Sequence, residues 1–239
     1  GNNIFAGTLS NGLFLSTNNG TNWTQTALNN HQVMSLAVSG NNIFAGTLSN
    51  GVYLSTNNGT NWSQTSLNNK NVKSLSVSGN NVFSGTDSNG VYFSANNGTN
   101  WIQKNQGFNG ITSVYALLIA NNYILAGTYQ QSVWLRLYSE AIGINKITEN
   151  VPSKYSLSQN YPNPFNPTTN IKFNVAKLSD VKIVVYDIMG REVQTLVNES
   201  LQPGIYEVSF DGSKLTSGVY FYRLISDNFT DTKRMLLVK

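Results

Sequence analysis

Apolar and polar residues in the first part of the chain alternate in short runs, broken by asparagine and glycine. Around residues 72–103 the runs are Val72–Val77, Asn81–Gly85, Val91–Ser94 and Trp101–Gln103. Each has the length and period-two spacing of a short strand. Asn-Gly and Asn-Asn pairs separate them and supply the positive φ that tight hairpin turns need. No stretch of this region sustains a helical period. From Ile171 onward the alternation changes character. Longer strands are predicted at Ile171–Val175, Val181–Asp187, Glu192–Val197, Ile205–Phe210, Val219–Ser226 and Thr230–Val238, with turns at Met189-Gly190-Arg191, Pro203-Gly204, Asp211-Gly212 and Ser217-Gly218. The pattern predicts an all-β chain of two differently built parts.

The first part is a repeat. Gly1-Asn-Asn-Ile-Phe-Ala-Gly-Thr8 returns at Gly40–Thr47 and, slightly altered, at Gly79–Thr86, a period of 39 residues. A diverged fourth copy runs Asn121-Asn-Tyr-Ile-Leu-Ala-Gly127-Thr128, then Ser132-Val-Trp-Leu135. Four strands in a unit of this length predict propeller blades rather than solenoid coils. The chain begins at the second strand of a blade and reaches three strands of a last one. About three to four four-stranded blades are expected, an open arc with exposed edges belonging to a longer protein.

Charge divides the chain at the same place. Residues 1–139 carry only Lys70, Lys73, Lys104, Arg136 and Asp87, while the remaining charges and all five prolines lie beyond. The expected organisation is a propeller region at 1–139, a linker at 140–154 and an immunoglobulin-like β-sandwich at 155–239. Pro162, Pro164 and Pro167 place their segment at an edge or in a fixed extended loop.

The same scarcity excludes much chemistry. There is no cysteine and one histidine, His31, so no thiolate or multi-histidine metal site is available. Asp87 is the only acid before Glu140, so this region cannot assemble the carboxylate pair of a glycoside hydrolase. No catalytic, metal or cofactor site is expected. The net charge of +4 comes from few ions and makes no case for nucleic acid, and no apolar run is long enough to span a membrane. Residues copied in every repeat report architecture first. The variable ones (Leu9/Leu48/Asp87 and His31/Lys70) are where binding is expected, with a glycan or a protein as the propeller's ligand. The sequon-like Asn-Gly-Thr and Asn-Trp-Thr triplets read as turn chemistry.

The turn between the third and fourth strands reads Ser16-Thr-Asn18-Asn-Gly20-Thr-Asn-Trp23 and recurs as Ser55–Trp62 and Ser94–Trp101. It resembles the Asp-box hairpin of sialidase-like and sortilin-like propellers. Ser16, Ser55 and Ser94, with Asn18, Asn57 and Asn96, can accept backbone N–H groups inside the turn. Gly20, Gly59 and Gly98 take the positive φ, and Trp23, Trp62 and Trp101 cover the turn. Asparagine stands where the motif usually has aspartate, which keeps the acceptor and gives up the charge. The resemblance implies a structural role.

In the second part, Tyr161-Pro-Asn-Pro-Phe-Asn-Pro-Thr-Thr169, Val185-Tyr-Asp-Ile-Met-Gly-Arg-Glu-Val193, Leu215-Thr-Ser-Gly-Val-Tyr-Phe-Tyr-Arg-Leu224 and Lys233-Arg-Met-Leu-Leu-Val-Lys239 resemble the type A C-terminal sorting domain of the type IX secretion system. The sandwich is also similar, more distantly, to the immunoglobulin-like domain of the flagellar hook-cap protein. The first resemblance implies export through the periplasm to the surface of a Gram-negative bacterium, or secretion from it. The outer-membrane translocon and a sortase are the implied partners, with the cut in the 140–155 linker. Gly190, Gly218, Tyr220, Lys233, Arg234 and Lys239 are the implied sorting-signal candidates. The propeller is then a non-catalytic binding or adhesion scaffold. Two alternatives are an exported propeller glycoside hydrolase with catalytic residues upstream and a hook-cap-like assembly scaffold.

Overall fold

A computed structural model describes residues 3–108, 110, 112–148 and 150–239. Gly1 and Asn2 of the first repeat and Glu149 of the expected linker lie outside the described residues. The chain divides after Ile142 into two compact units.

The N-terminal unit is four antiparallel sheets in chain order. The first holds β1 (Ile4–Gly7), β2 (Leu13–Ser16) and β3 (Thr24–Gln25). The second holds β4 (Val33–Ser39), β5 (Asn42–Thr47), β6 (Gly51–Ser55) and β7 (Ser63–Gln64). The third repeats this with β8 (Val72–Ser78), β9 (Asn81–Thr86), β10 (Gly90–Ser94) and β11 (Ile102–Gln103). The fourth has β12 (Val114–Ala120), β13 (Tyr123–Thr128) and β14 (Val133–Leu137), followed by the single turn α1 (Tyr138–Ala141). Each sheet is a meander whose strands fall where the sequence places them.

Neighbouring sheets are joined by apolar cores of one design. Phe44 and Val52 of the second sheet meet Val72, Leu75 and Val82 of the third, and Leu67 closes the cluster. Leu28 does the same one blade earlier, beside Leu13, Val33 and Ala45. The glycine of each second strand lets the next sheet approach. A Cβ on Gly7 would lie 2.6 Å from Val33 Cγ1, and one on Gly85 would lie 2.8 Å from Val114 Cγ1. Real Cβ atoms do not come so close, so the glycine marks where one blade rests on the next.

The C-terminal unit is a two-layer β-sandwich. One layer orders β15 (Ile144–Thr148), β20 (Gly204–Asp211), β17 (Thr168–Val175) and β16 (Ser156–Leu157) side by side. The other orders β19 (Glu192–Leu201), β18 (Ser179–Tyr186), β21 (Gly218–Ser226) and β22 (Phe229–Leu237). The alternation becomes burial directly. In β17 Thr169, Ile171, Phe173 and Val175 are buried, with Asn170 and Lys172 exposed between them. Residues 140–154, expected as a linker without a strong pattern, contain regular elements. Glu140 and Ala141 belong to α1, and Ile144–Thr148 is an edge strand paired with β20. Ile144 is buried, and one inward apolar residue in a five-residue strand leaves too little pattern to read from sequence.

Candidate functional site

The three box hairpins are built alike. In the first, the Ser16 hydroxyl donates to Asn18 Oδ1 at 3.0 Å and accepts the Gly20 N–H at 2.8 Å. Asn18 Oδ1 also accepts the Asn22 N–H at 2.9 Å. Ser55 and Asn57, and Ser94 and Asn96, repeat these bonds. Asn19 and Gly20 both have positive φ, 55° and 86°, so the turn needs two left-handed residues in succession. Trp62 and Trp101 donate their indole N–H to the carbonyls of Gly59 and Gly98, whereas Trp23 is 43% exposed. The serine and asparagine side-chain oxygens of the box thus bind within the turn.

The variable positions form contacts of their own. Tyr53 Oη and His31 Nε2 are 2.7 Å apart. Lys70 Nζ lies 6.0 Å from the Tyr92 ring centroid, the corresponding pair one repeat later. Asp87 accepts the Ser113 hydroxyl at 2.6 Å and pairs with Lys73 at 3.6 Å. The Ser113 hydrogen bond, with help from Lys73, holds the Asp87 carboxyl below the usual carboxylate range. A lowered pKa stabilises the fold fully above the unfolded value of about 3.9 and loses that contribution as pH falls through the folded one. Exposure limits the effect to about 1 kcal/mol or less. Asp87→Asn should therefore lower the melting temperature slightly at neutral pH and by progressively less as pH falls below about 3.9, as thermal unfolding across that range would show.

In the sandwich, the proline-rich segment is held by a buried polar network. The Tyr222 hydroxyl accepts the Asn160 N–H at 2.7 Å and donates to the Ser158 carbonyl at 2.8 Å. Burial pushes its pKa up to about 12. Asn160 Nδ2 donates to Thr169 Oγ1 and to the Pro162 carbonyl, both at 3.0 Å. Phe165 drops into the core at 2% exposure against Phe210. Its backbone binds the last strand on both sides, from Phe165 N to the Leu236 carbonyl and from Val238 N to the Phe165 carbonyl. The Asn-Tyr-Pro-Asn-Pro-Phe segment is therefore a clasp over the edge of β22.

The clasp grips β22 at the end of the β19-β18-β21-β22 sheet where Gly218 pairs with Leu237. Gly218 pairs with Leu237 and Tyr220 with Met235, while Phe221 pairs with both Tyr186 and Arg234. The register thus brings the Asp187–Arg191 turn, containing Gly190, to the end that holds Gly218 and Lys239. Lys239 is tied there, its amide to Ser217 Oγ at 3.0 Å and its Nζ to the Ser213 carbonyl at 2.6 Å. Tyr220 is buried and donates to the Thr216 carbonyl. Lys233 pairs with Asp231 at 3.4 Å, and the Arg234 carbonyl receives Gln159 Nε2 at 2.7 Å. The terminal run is split by strand alternation. Met235 and Leu237 are wholly buried, whereas Leu236 and Val238 face out. Ile188 and Met189, not singled out from sequence, are 71% and 75% exposed at the tip of the Gly190 turn.

Residues 159–239 match the family model of the secretion system C-terminal sorting domain. The chain ends in a type IX sorting domain. Residues 4–111 match the DUF6242 beta propeller domain. No curated protein matches the chain. Among solved structures it is similar to PorZ, described as an essential bacterial surface component of the type-IX secretion system of Porphyromonas gingivalis. That similarity has 17% identity and a TM-score of 0.47, over 99% of this chain and 37% of PorZ. It is also similar to the computationally designed Ika4 protein, with 13% identity and a TM-score of 0.46 over 57% of this chain and 86% of that one. YCF48 bound to D1 peptide matches with 13% identity and a TM-score of 0.43 over 99% and 90%. The sorting domain marks the chain for export to the surface of a Gram-negative bacterium or for secretion. No helix of the described residues is long and apolar enough to cross a membrane.

Proposed function

We propose that the sorting domain is read by the outer-membrane translocon through the Gly218 end of its β19-β18-β21-β22 sheet, and that the propeller travels as a non-catalytic binding module. The observation that carries the reading is the convergence of Gly190, Gly218 and Lys239 with the outward side chains of Ile188, Met189, Leu236 and Val238 at that end. Large apolar side chains left outside a well-filled core favour contact with another protein. Tyr220 and Met235 act through the fold, since both are buried. Lys233 and Arg234 lie further along the strand and add positive charge outside the contact.

The non-catalytic reading of the propeller is supported by its one acid before Glu140 being tied to Ser113 and Lys73. The sortase cut falls best in the exposed stretch 150–154, because cutting within Ile144–Thr148 would open a paired strand. The test is delivery in a type IX-secreting bacterium of the whole chain carrying Ile188→Asp and Met189→Asp. Protein at the surface should fall by about tenfold or more while the purified variant keeps its melting temperature, because both side chains are exposed. Undiminished delivery of the folded double variant would rule out this face.

A further inference from the structure

A cavity of about 420 Å³ opens between the third and fourth sheets of the N-terminal unit. Its walls repeat the inter-blade core described above. Phe44, Val52, Leu75 and Val82 of the preceding pair correspond to Phe83, Val91, Leu117 and Ile124 here. The difference is the plug. Counting by 39 from Leu28 and Leu67, both buried, leads to Gln106, which is exposed. The Leu67 carbonyl that receives the Val52 N–H is replaced at Val91 by the side chain of Asn105. The loop carries Phe108 against this core in place of a leucine, and a cavity remains beside it.

Two further departures from the repeat face the same space. Lys104 takes the place of Thr26 and Thr65; its amide binds the Val91 carbonyl as the Thr65 amide binds that of Val52. Arg136 pairs with Ile124 as Ser94 pairs with Val82, so it stands where the box serine stands in the other blades. Both cations line the cavity. Arg136 reaches Glu140 at 3.7 Å and Gln106 Oε1 at 3.4 Å. Lys104 Nζ lies 5.9 Å from the Phe93 ring centroid, and burial and the nearby Arg136 charge lower its pKa. One carboxylate thus faces two cations, leaving positive charge over an apolar floor. The indole N–H of Trp134, whose ring packs edge-on to Phe108 in the wall, is buried with no partner among the described residues.

The region solvates itself with amides, yet it spends two of its four Lys and Arg residues on this one cavity. A structural replacement for the lost serine and threonine would be another small polar residue. Two half-buried cations over an aromatic and aliphatic floor suit a ligand with one anionic end and an apolar body. We propose that this cavity binds a small organic carboxylate, its anionic group between Lys104 and Arg136 and its hydrocarbon or aryl body against Phe83, Leu117 and Ile124. This goes beyond the export reading and does not depend on it.

The experiment is calorimetric titration of the 239-residue chain with a panel of aryl- and alkyl-carboxylates, 4-phenylbutyrate first. 4-Phenylbutanol is the neutral control and acetate the control without a body. The carboxylate should bind at least about tenfold tighter than either control, the step expected for a charge-assisted contact. Lys104→Thr and Arg136→Gln should each weaken it by about tenfold, and affinity should fall as pH rises through the lowered Lys104 pKa. Gln106→Leu restores the residue of the other repeats and should reduce binding. A melting transition for each variant separates lost binding from lost fold; if Lys104→Thr does not fold, Arg136→Gln carries the test. Equal affinity for the alcohol, undiminished binding by both folded charge variants, or no panel member binding below about 1 mM would overturn the proposal.

Discussion

Phe165→Ala lowers the stability of the sorting domain by about 3–5 kcal/mol, the usual cost of emptying a phenylalanine site in a packed core. Domains of this size are stable by only about 5–15 kcal/mol, so much of the margin goes with one side chain. The ring is 2% exposed and rests on Phe210. A Cβ on Gly212 would lie 3.3 Å from it, so the neighbouring turn is fitted to the ring as well. The ring also anchors the Phe165 backbone, which binds Leu236 of β22 and the following Val238. Without the ring as anchor, the clasp loosens over the strand that bears the terminal motif. Urea unfolding of the variant should show the loss, and its surface delivery should fall in parallel. Phe165→Leu, which keeps most of the volume, should cost less than half as much. Equal losses for the two would show that the site needs the aromatic ring itself and not only its volume.

The second large effect is Gly51→Ala in the propeller. Gly51 has φ +68°, and an added Cβ would overlap the Leu67 carbonyl, with Asn68 Cα at 2.9 Å. The left-handed conformation alone costs an alanine about 1–2 kcal/mol. The overlap is with backbone, which no rotamer change relieves, so the β5–β6 turn and the Leu67 loop have to separate. Moving that loop withdraws Leu67 from the core between two sheets. A total of about 3 kcal/mol or more is expected. Gly79→Ala is the control. Its φ is +55° but its Cβ meets nothing within 4 Å, so only the conformational cost applies. Thermal unfolding should separate the two variants by several degrees. Equal shifts would show that the turn geometry, and not the Leu67 contact, sets the requirement.

Much of this fold can be read along the chain because its elements are local. The box hairpin closes within seven residues, from Ser16 to Asn22, and three copies that differ only at Ala95 place its bonds before any tertiary contact is known. The alternation Thr169, Ile171, Phe173, Val175 names the inward face of β17 without reference to its neighbours. Strand β15 is different, since its place at the sheet edge comes from pairing with residues some sixty positions away. The same holds for the clasp. The three prolines exclude a central strand, but nothing local shows that Asn160 is satisfied by Tyr222.

The site residues divide along the same line. Gly190, Gly218 and the terminal basic-apolar run are visible as motifs, yet their meeting at one end of a sheet is a matter of register. The repeat also carries a signal apart from His31, Lys70 and Asp87. Lys104 and Gln106, and thirty residues later Arg136, break its pattern. The sequence by itself determined the blade unit, the box turns, the two-part organisation and the sorting motif, because each depends on residues close together or copied at a fixed interval. Only the tertiary structure decided which motif residues face solvent, what the proline-rich clasp grips, and that three scattered departures from the repeat line one cavity. Those depend on how sheets pack, and packing joins residues whose separation along the chain carries no period.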